Sequence, residues 1–248
     1  MSRILGAGLR AGAALVFAAG LAGCGSASSG QGGLPPAPLP TPAITTPPAG
    51  GRVAYAALGA SETYGVGASP ISDGYAYRLR DALRLTAADF ADVAIPGATL
   101  GDAYQTELTN ALTIQPTVST VFFGVNDIRA GVPIARFTSD LSDLVTTLRR
   151  AGSRVLVVGV PDLGVIPAVR AALRGADAAA LTRQWNAAMR GVAAATGAAF
   201  LDLEELSREI STHPEEIAPD GLHPSDAGHA RLAAVILAAL RSQGYVSA

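Results

Sequence analysis

Short apolar runs alternate with stretches of helical periodicity along most of the chain, and that alternation predicts the fold. Residues 53–58 read as a first strand, 92–95 as a short second, and 118–123, apolar and β-branched, as a buried third. The Val-rich run 154–160, ended by Pro161, is the clearest strand, and 199–203 makes a fifth. Between them, 75–85 places Tyr75, Leu79 and Leu83 on one helical side. Residues 134–150 space Phe137, Leu141, Leu144 and Leu148 as a helix does. The alanine-rich stretch 177–196 opens on Asp177, and 226–240 follows Pro224 and Ser225; both openings are helix-start signals. Strands alternating with helices imply parallel βαβ units in a three-layer α/β/α fold.

The first fifty residues follow another pattern. Arg3 and Arg10 precede an apolar run over 11–21 that is too short to span a bilayer, which takes about 20 residues. A positive start, a short apolar middle and small residues at its end make a secretory signal. Its close, Leu21-Ala22-Gly23-Cys24, resembles the bacterial lipobox. That resemblance implies cleavage after residue 23, lipid attachment at Cys24 and an extracytoplasmic protein held on a membrane surface. Several acyl chains, as the lipoprotein anchor carries, hold stably where one does not. Residues 24–51 are rich in Ser, Gly, Pro and Thr, with seven prolines between Pro35 and Pro48, and predict an extended tether. The folded domain is then 52–248.

Composition narrows the chemistry. The net charge of −2, from 18 basic and 20 acidic residues, argues against a nucleic-acid partner. Every basic residue is arginine, so Schiff-base, phosphate-loop and Ser–Lys chemistries are excluded. A serine nucleophile here needs a histidine base, and there are three: His213, His223 and His229. The single cysteine excludes an intrachain disulfide and a four-cysteine zinc site.

Open parallel sheets bind ligands beyond the carboxyl ends of their strands. Gly59-Ala60-Ser61 follows the first strand, Gly97 the second, and Gly124-Val125-Asn126-Asp127 the third. Asp220-Gly221-Leu222-His223-Pro224 follows the fifth after a short helix. These are the parts acyl transfer needs. Ser61 is a weak nucleophile until a base accepts its proton, and His223 is the best-placed base. Asp220, three residues earlier, can fix its tautomer from the same loop; Asp162 and Asp202 are rival carboxylates near the rim. The Ser61 and Gly97 amides and the Asn126 side chain can donate to an oxyanion. His213 reads as a solvated loop residue, His229 as structural, and Trp185 with Met189 as core.

These blocks, in order from Leu58 to His229, resemble the SGNH, or GDSL-type, hydrolases. The resemblance implies a flavodoxin-like sheet of five parallel strands, no metal and no cofactor. It implies a carboxylic ester substrate, with small acyl, lipid and acetylated-glycan esters as candidates. It assigns Ser61 as nucleophile, His223 as base beside Asp220, and Gly97 and Asn126 as oxyanion donors. One departure stands out: the family usually has Asp before the serine, where this chain has Ala60. Two other readings share the same residues, an acyltransferase and a non-catalytic surface module that binds glycan or lipid.

Overall fold

The structure, a computed structural model, describes residues 51–173 and 177–247. The expected leader at 1–23, Cys24 and all of the tether except Gly51 lie outside the described residues.

Five parallel strands form one sheet: β1 (Tyr55–Gly59), β2 (Phe90–Asp92), β3 (Val118–Phe122), β4 (Arg154–Val158) and β5 (Ala199–Leu201), in the order β2-β1-β3-β4-β5. The number of strands and their parallel direction are those expected, and the order is that of a flavodoxin-like sheet. The central strands β1, β3 and β4 are buried along their whole length, as a sheet covered on both faces requires. Alternate residues serve different layers. Ala56, Leu58, Val121, Val155 and Val157 face one apolar cluster, while Tyr55, Ala57, Phe122, Leu156 and Val158 face the other.

The first cluster is closed by α3 (Leu100–Leu112), α5 (Ile134–Arg150) and α7 (Ala178–Thr196); the second by α2 (Tyr75–Ala82) and α9 (Asp226–Ser242). Short helices α1 (Ser61–Tyr64), α4 (Val125–Ala130), α6 (Pro167–Ala172) and α8 (Glu204–Arg208) follow the ends of β1, β3, β4 and β5. Helix α5 has the predicted limits, and Asp177 and Ser225 cap α7 and α9 with their side chains. Trp185 and Met189 are buried, with Trp185 packed on Phe137 at 4.8 Å between ring centres.

Two differences from the sequence expectation bear on the site. Strand β2 lies at Phe90–Asp92 instead of 92–95. The chain keeps pairing beyond it, since Val93 N–H donates to Ala57 O (3.0 Å) and Ile95 N–H to Gly59 O (3.1 Å). Helix α3 has no counterpart in the expected elements. It opens on a capping box in which Thr99 and Asp102 satisfy each other's backbone N–H groups.

Candidate active site

All the residues singled out at strand ends lie along the carboxyl edge of the sheet. Ser61 begins α1 directly after β1 and is 7% exposed. Its N–H stands in the first turn, where a helix supplies no internal acceptor. Ala60 occupies the N-cap position and offers no side-chain cap, so the turn is set by backbone and packing alone. Gly97 adopts φ +81°, a left-handed conformation that glycine reaches without strain, and the space a side chain would enter is open.

Asn126 is the second residue of α4. Its Nδ2 donates to Ala98 O at 3.1 Å, which leaves its other amide hydrogen free. Asp127 is buried, and its Oδ1 accepts from Leu100 N–H at 3.0 Å while its Oδ2 has no partner among the described residues. Adjacent side chains of α4 thus hold the stretch just after Gly97, at Ala98 and Leu100. Burial pushes the Asp127 carboxyl up to about 6, against its backbone hydrogen bonds. A small recess is lined by Ala60 and Glu62, which flank Ser61, by Ala98, next to Gly97, and by Asn126. Asn126 thus lines the recess itself, while Ser61 and Gly97 are represented in its wall by their chain neighbours.

The histidine–carboxylate pair forms within one loop. Asp220 Oδ2 lies 2.6 Å from His223 Nδ1, and Asp220 Oδ1 accepts from the Leu222 and His223 N–H groups at 2.9 and 3.0 Å. Burial pushes the Asp220 carboxyl up, but the ring and the two N–H groups outweigh it and bring it down to about 2. With Nδ1–H committed to the carboxylate, Nε2 keeps the lone pair that can take a proton. The rival carboxylates are engaged elsewhere: Asp202 pairs with Arg190 at 2.5 Å, and Asp162 accepts from Gly164 N–H at 2.8 Å.

Ser61 and His223 are not joined directly. The Ser61 hydroxyl donates to Glu62 Oε2 at 3.3 Å. Transfer to His223 therefore requires that hydroxyl to turn away from Glu62, since it has one proton to donate.

Three residues of this edge were given no role from the sequence. Glu107, fully buried on α3, accepts from Gly59 N–H with Oε2 (2.8 Å) and from Ile95 N–H with Oε1 (3.1 Å). It ties the end of β1, two residues before Ser61, to the segment two residues before Gly97. Burial pushes its carboxyl up to about 8. Glu62 lines the recess, and Asp127 anchors it. A heptad-like spacing of 100, 103, 107 and 111 on α3 was the available signal for Glu107.

The other histidines keep their expected roles. His229 is buried, takes Tyr75 N–H on Nδ1 (3.3 Å) and lies 3.0 Å from Val66 O through Nε2, and burial lowers its pKa. It pins the loop after Ser61 against α9. There Gly67, at φ +97°, passes so close to Pro224 O that a Cβ would stand 2.1 Å from it. His213 is exposed and meets Glu215 at 3.1 Å.

A model of the GDSL-like lipase/acylhydrolase family matches residues 57–231. Over 127 residues the chain is 33% identical to a GDSL-like esterase of Mycobacterium tuberculosis; the match takes in 51% of this chain and 40% of that protein. This chain thus spans well under half of that relative's length. Among solved structures, an acetylxylan esterase from Geobacillus stearothermophilus superposes with a TM-score of 0.63 at 18% identity, covering 81% of this chain and 99% of that one. A psychrotrophic esterase from Pseudoalteromonas sp. gives 0.62 at 17% identity, covering 77% and 98%. Both share the fold of this chain.

Proposed function

The chain belongs to the GDSL-like lipase/acylhydrolase family, and from that premise we propose that it is a serine esterase that hydrolyses carboxylic esters through an acyl-Ser61 intermediate. Ser61 Oγ attacks the ester carbonyl carbon while His223 Nε2 takes the hydroxyl proton. The Ser61 and Gly97 N–H groups and Asn126 Nδ2 receive the negative charge that develops on the carbonyl oxygen. Collapse breaks the bond to the alcohol oxygen, which leaves with the proton from His223. Water then attacks the acyl-enzyme with His223 again as base, releasing the acid and restoring the Ser61 hydroxyl. Asp220 stays ionised throughout and steadies the imidazolium.

The observation that carries this reading is the 2.6 Å contact between His223 Nδ1 and Asp220 Oδ2, on the same sheet edge as the recess that Asn126 and the neighbours of Ser61 and Gly97 line. Ester activity in structural neighbours such as the acetylxylan esterase supports it. Residues 1–24 support a place on the outer side of a membrane. In the proposal the signal is cleaved after residue 23, Cys24 carries the lipid, and residues 25–51 hold the domain off the surface. Growth with a radiolabelled fatty acid tests the anchor: label on the wild type and none on Cys24→Ala is expected.

An ester panel tests the activity. The wild-type protein should hydrolyse p-nitrophenyl esters, and Asn126→Ala should lower kcat by about 10²–10³-fold with little change in KM. Unchanged kcat in that variant would remove Asn126 from the oxyanion site.

A further inference from the structure

A second cavity, of about 100 Å³, lies beside the segments that carry the proposed nucleophile and base. Its walls include the immediate neighbours of three site residues: Glu62 beside Ser61, Val125 beside Asn126, and Leu222 and Pro224 on either side of His223. It shares Glu62, Phe122 and Val125 with the oxyanion recess, so the two spaces adjoin across the side chain of Glu62. From there it runs between α8 and α9, where Leu206, Ile210 and Val235 complete an aliphatic lining.

The polar groups along this lining are already engaged. Glu216 pairs with Arg231 at 3.0 Å, and Arg231 also meets Glu209. Ser207 Oγ accepts from Asp162 N–H at 2.7 Å and donates to Glu204 O at 2.9 Å. Glu62 holds the Ser61 hydroxyl. A polar ligand would find few free partners, whereas an apolar one needs none. The size is also informative. A dry cavity of about 150 Å³ accepts benzene, so one of about 100 Å³ takes about four carbons of a chain. An acetyl group would leave most of it unfilled, and a long lipid chain would overrun it.

We propose that this cavity is the acyl pocket of the enzyme and selects linear acyl groups of about four to six carbons. The assignment rests on the esterase reading given above, and it narrows the small-acyl expectation to butyryl through hexanoyl esters. The carbonyl carbon would lie at Ser61, with the chain passing Glu62 into the space between α8 and α9.

Each methylene buried is worth about a fourfold gain in kcat/KM, from a transfer free energy of about 0.8 kcal/mol. The experiment is a chain-length series on the full protein, from acetate to dodecanoate p-nitrophenyl esters. It is paired with calorimetric binding of ethyl acetate and ethyl butyrate to Ser61→Ala. The expected result is a kcat/KM maximum at butyrate or hexanoate, with ethyl butyrate binding about 16-fold more tightly than ethyl acetate. Ile210→Trp, which fills the cavity, should lower the butyrate-to-acetate ratio at least tenfold, and Leu206→Ala should move the maximum to longer chains. An acetate or dodecanoate maximum, or ratios unmoved by both variants, would overturn the pocket and leave the esterase standing. Tighter binding of ethyl butyrate with no turnover of any ester by the wild type would overturn the esterase reading, and with it the acyl assignment.

Discussion

A hydroxyl donates one hydrogen bond, and that of Ser61 goes to Glu62 Oε2. The proposed mechanism has it redirected to His223, whose ring is already oriented by Asp220. Asp220→Asn keeps the shape of that contact but presents an amide where Nδ1–H needs an anion. The expected outcome is a fall in kcat of about 10²–10⁴-fold with a nearly unchanged KM, read from steady-state kinetics. Ser61, His223 and Asp220, the proposed nucleophile, base and carboxylate, were legible as candidates because each stands in a short block at a strand end, and Asp220 lies three residues from His223. The position of Glu62 was not legible. Its place beside Ser61 is plain in the sequence, but whether its carboxylate faces solvent, recess or hydroxyl depends on the turn of α1 and on the packing around Phe122 and Val125.

Helix α3 shows why an element can escape notice and still set the site. Its buried positions fall at helical spacing, but beside Leu100 and Leu108 they hold two alanines and Glu107, so the hydrophobic contrast is weak. Glu107 stands where an apolar residue is expected because its carboxyl accepts from two backbone N–H groups at the end of the sheet, that of Gly59 and that of Ile95, the latter shared with Gly59 O. In Glu107→Gln only one terminal atom can accept, so either the Gly59 or the Ile95 N–H faces the amide NH2 and loses its contact with this side chain, although Ile95 N–H is shared with Gly59 O. A loss of stability of about 1–3 kcal/mol is expected, measured by denaturant unfolding. The segments bearing Ser61 and Gly97 would also shift, and a fall in kcat of about tenfold or more should accompany it. Wild-type kcat in a destabilised Glu107→Gln would show that the tie serves the fold alone. Strand β2 slipped for a related reason: Val93 and Ile95 supply the apolar signal, but the ladder begins earlier, where Phe90 packs on Tyr55 and Tyr77.

At the scale of the whole molecule, the doubly covered parallel sheet was legible because apolar runs and helical periods alternate along the chain. What was not legible is the number of carboxyl groups the fold buries. Asp92, Asp127 and Glu107 are pushed up to about 7, 6 and 8, each chiefly by burial. The native state therefore keeps these protons at pH values where the unfolded chain has released them, and stability falls as pH rises from about 4 towards 8. His229, whose pKa is lowered by burial, works the other way below about 6.5, because its native ring resists protonation. Between pH 6.5 and 8 the carboxyls act alone. Stability should drop by on the order of 2 kcal/mol across that window, read from denaturant unfolding at fixed ionic strength, and Glu107→Gln should flatten the slope. A flat or rising wild-type profile would contradict the burial of these groups. Ser61, proposed as a nucleophile activated by His223, can be probed by fluorophosphonate labelling followed by peptide mass spectrometry. One adduct on Ser61 is expected in the wild type, none in Ser61→Ala, and strongly slowed labelling in His223→Ala; an unlabelled wild type, or equal labelling of Ser61→Ala, would rule this nucleophile out.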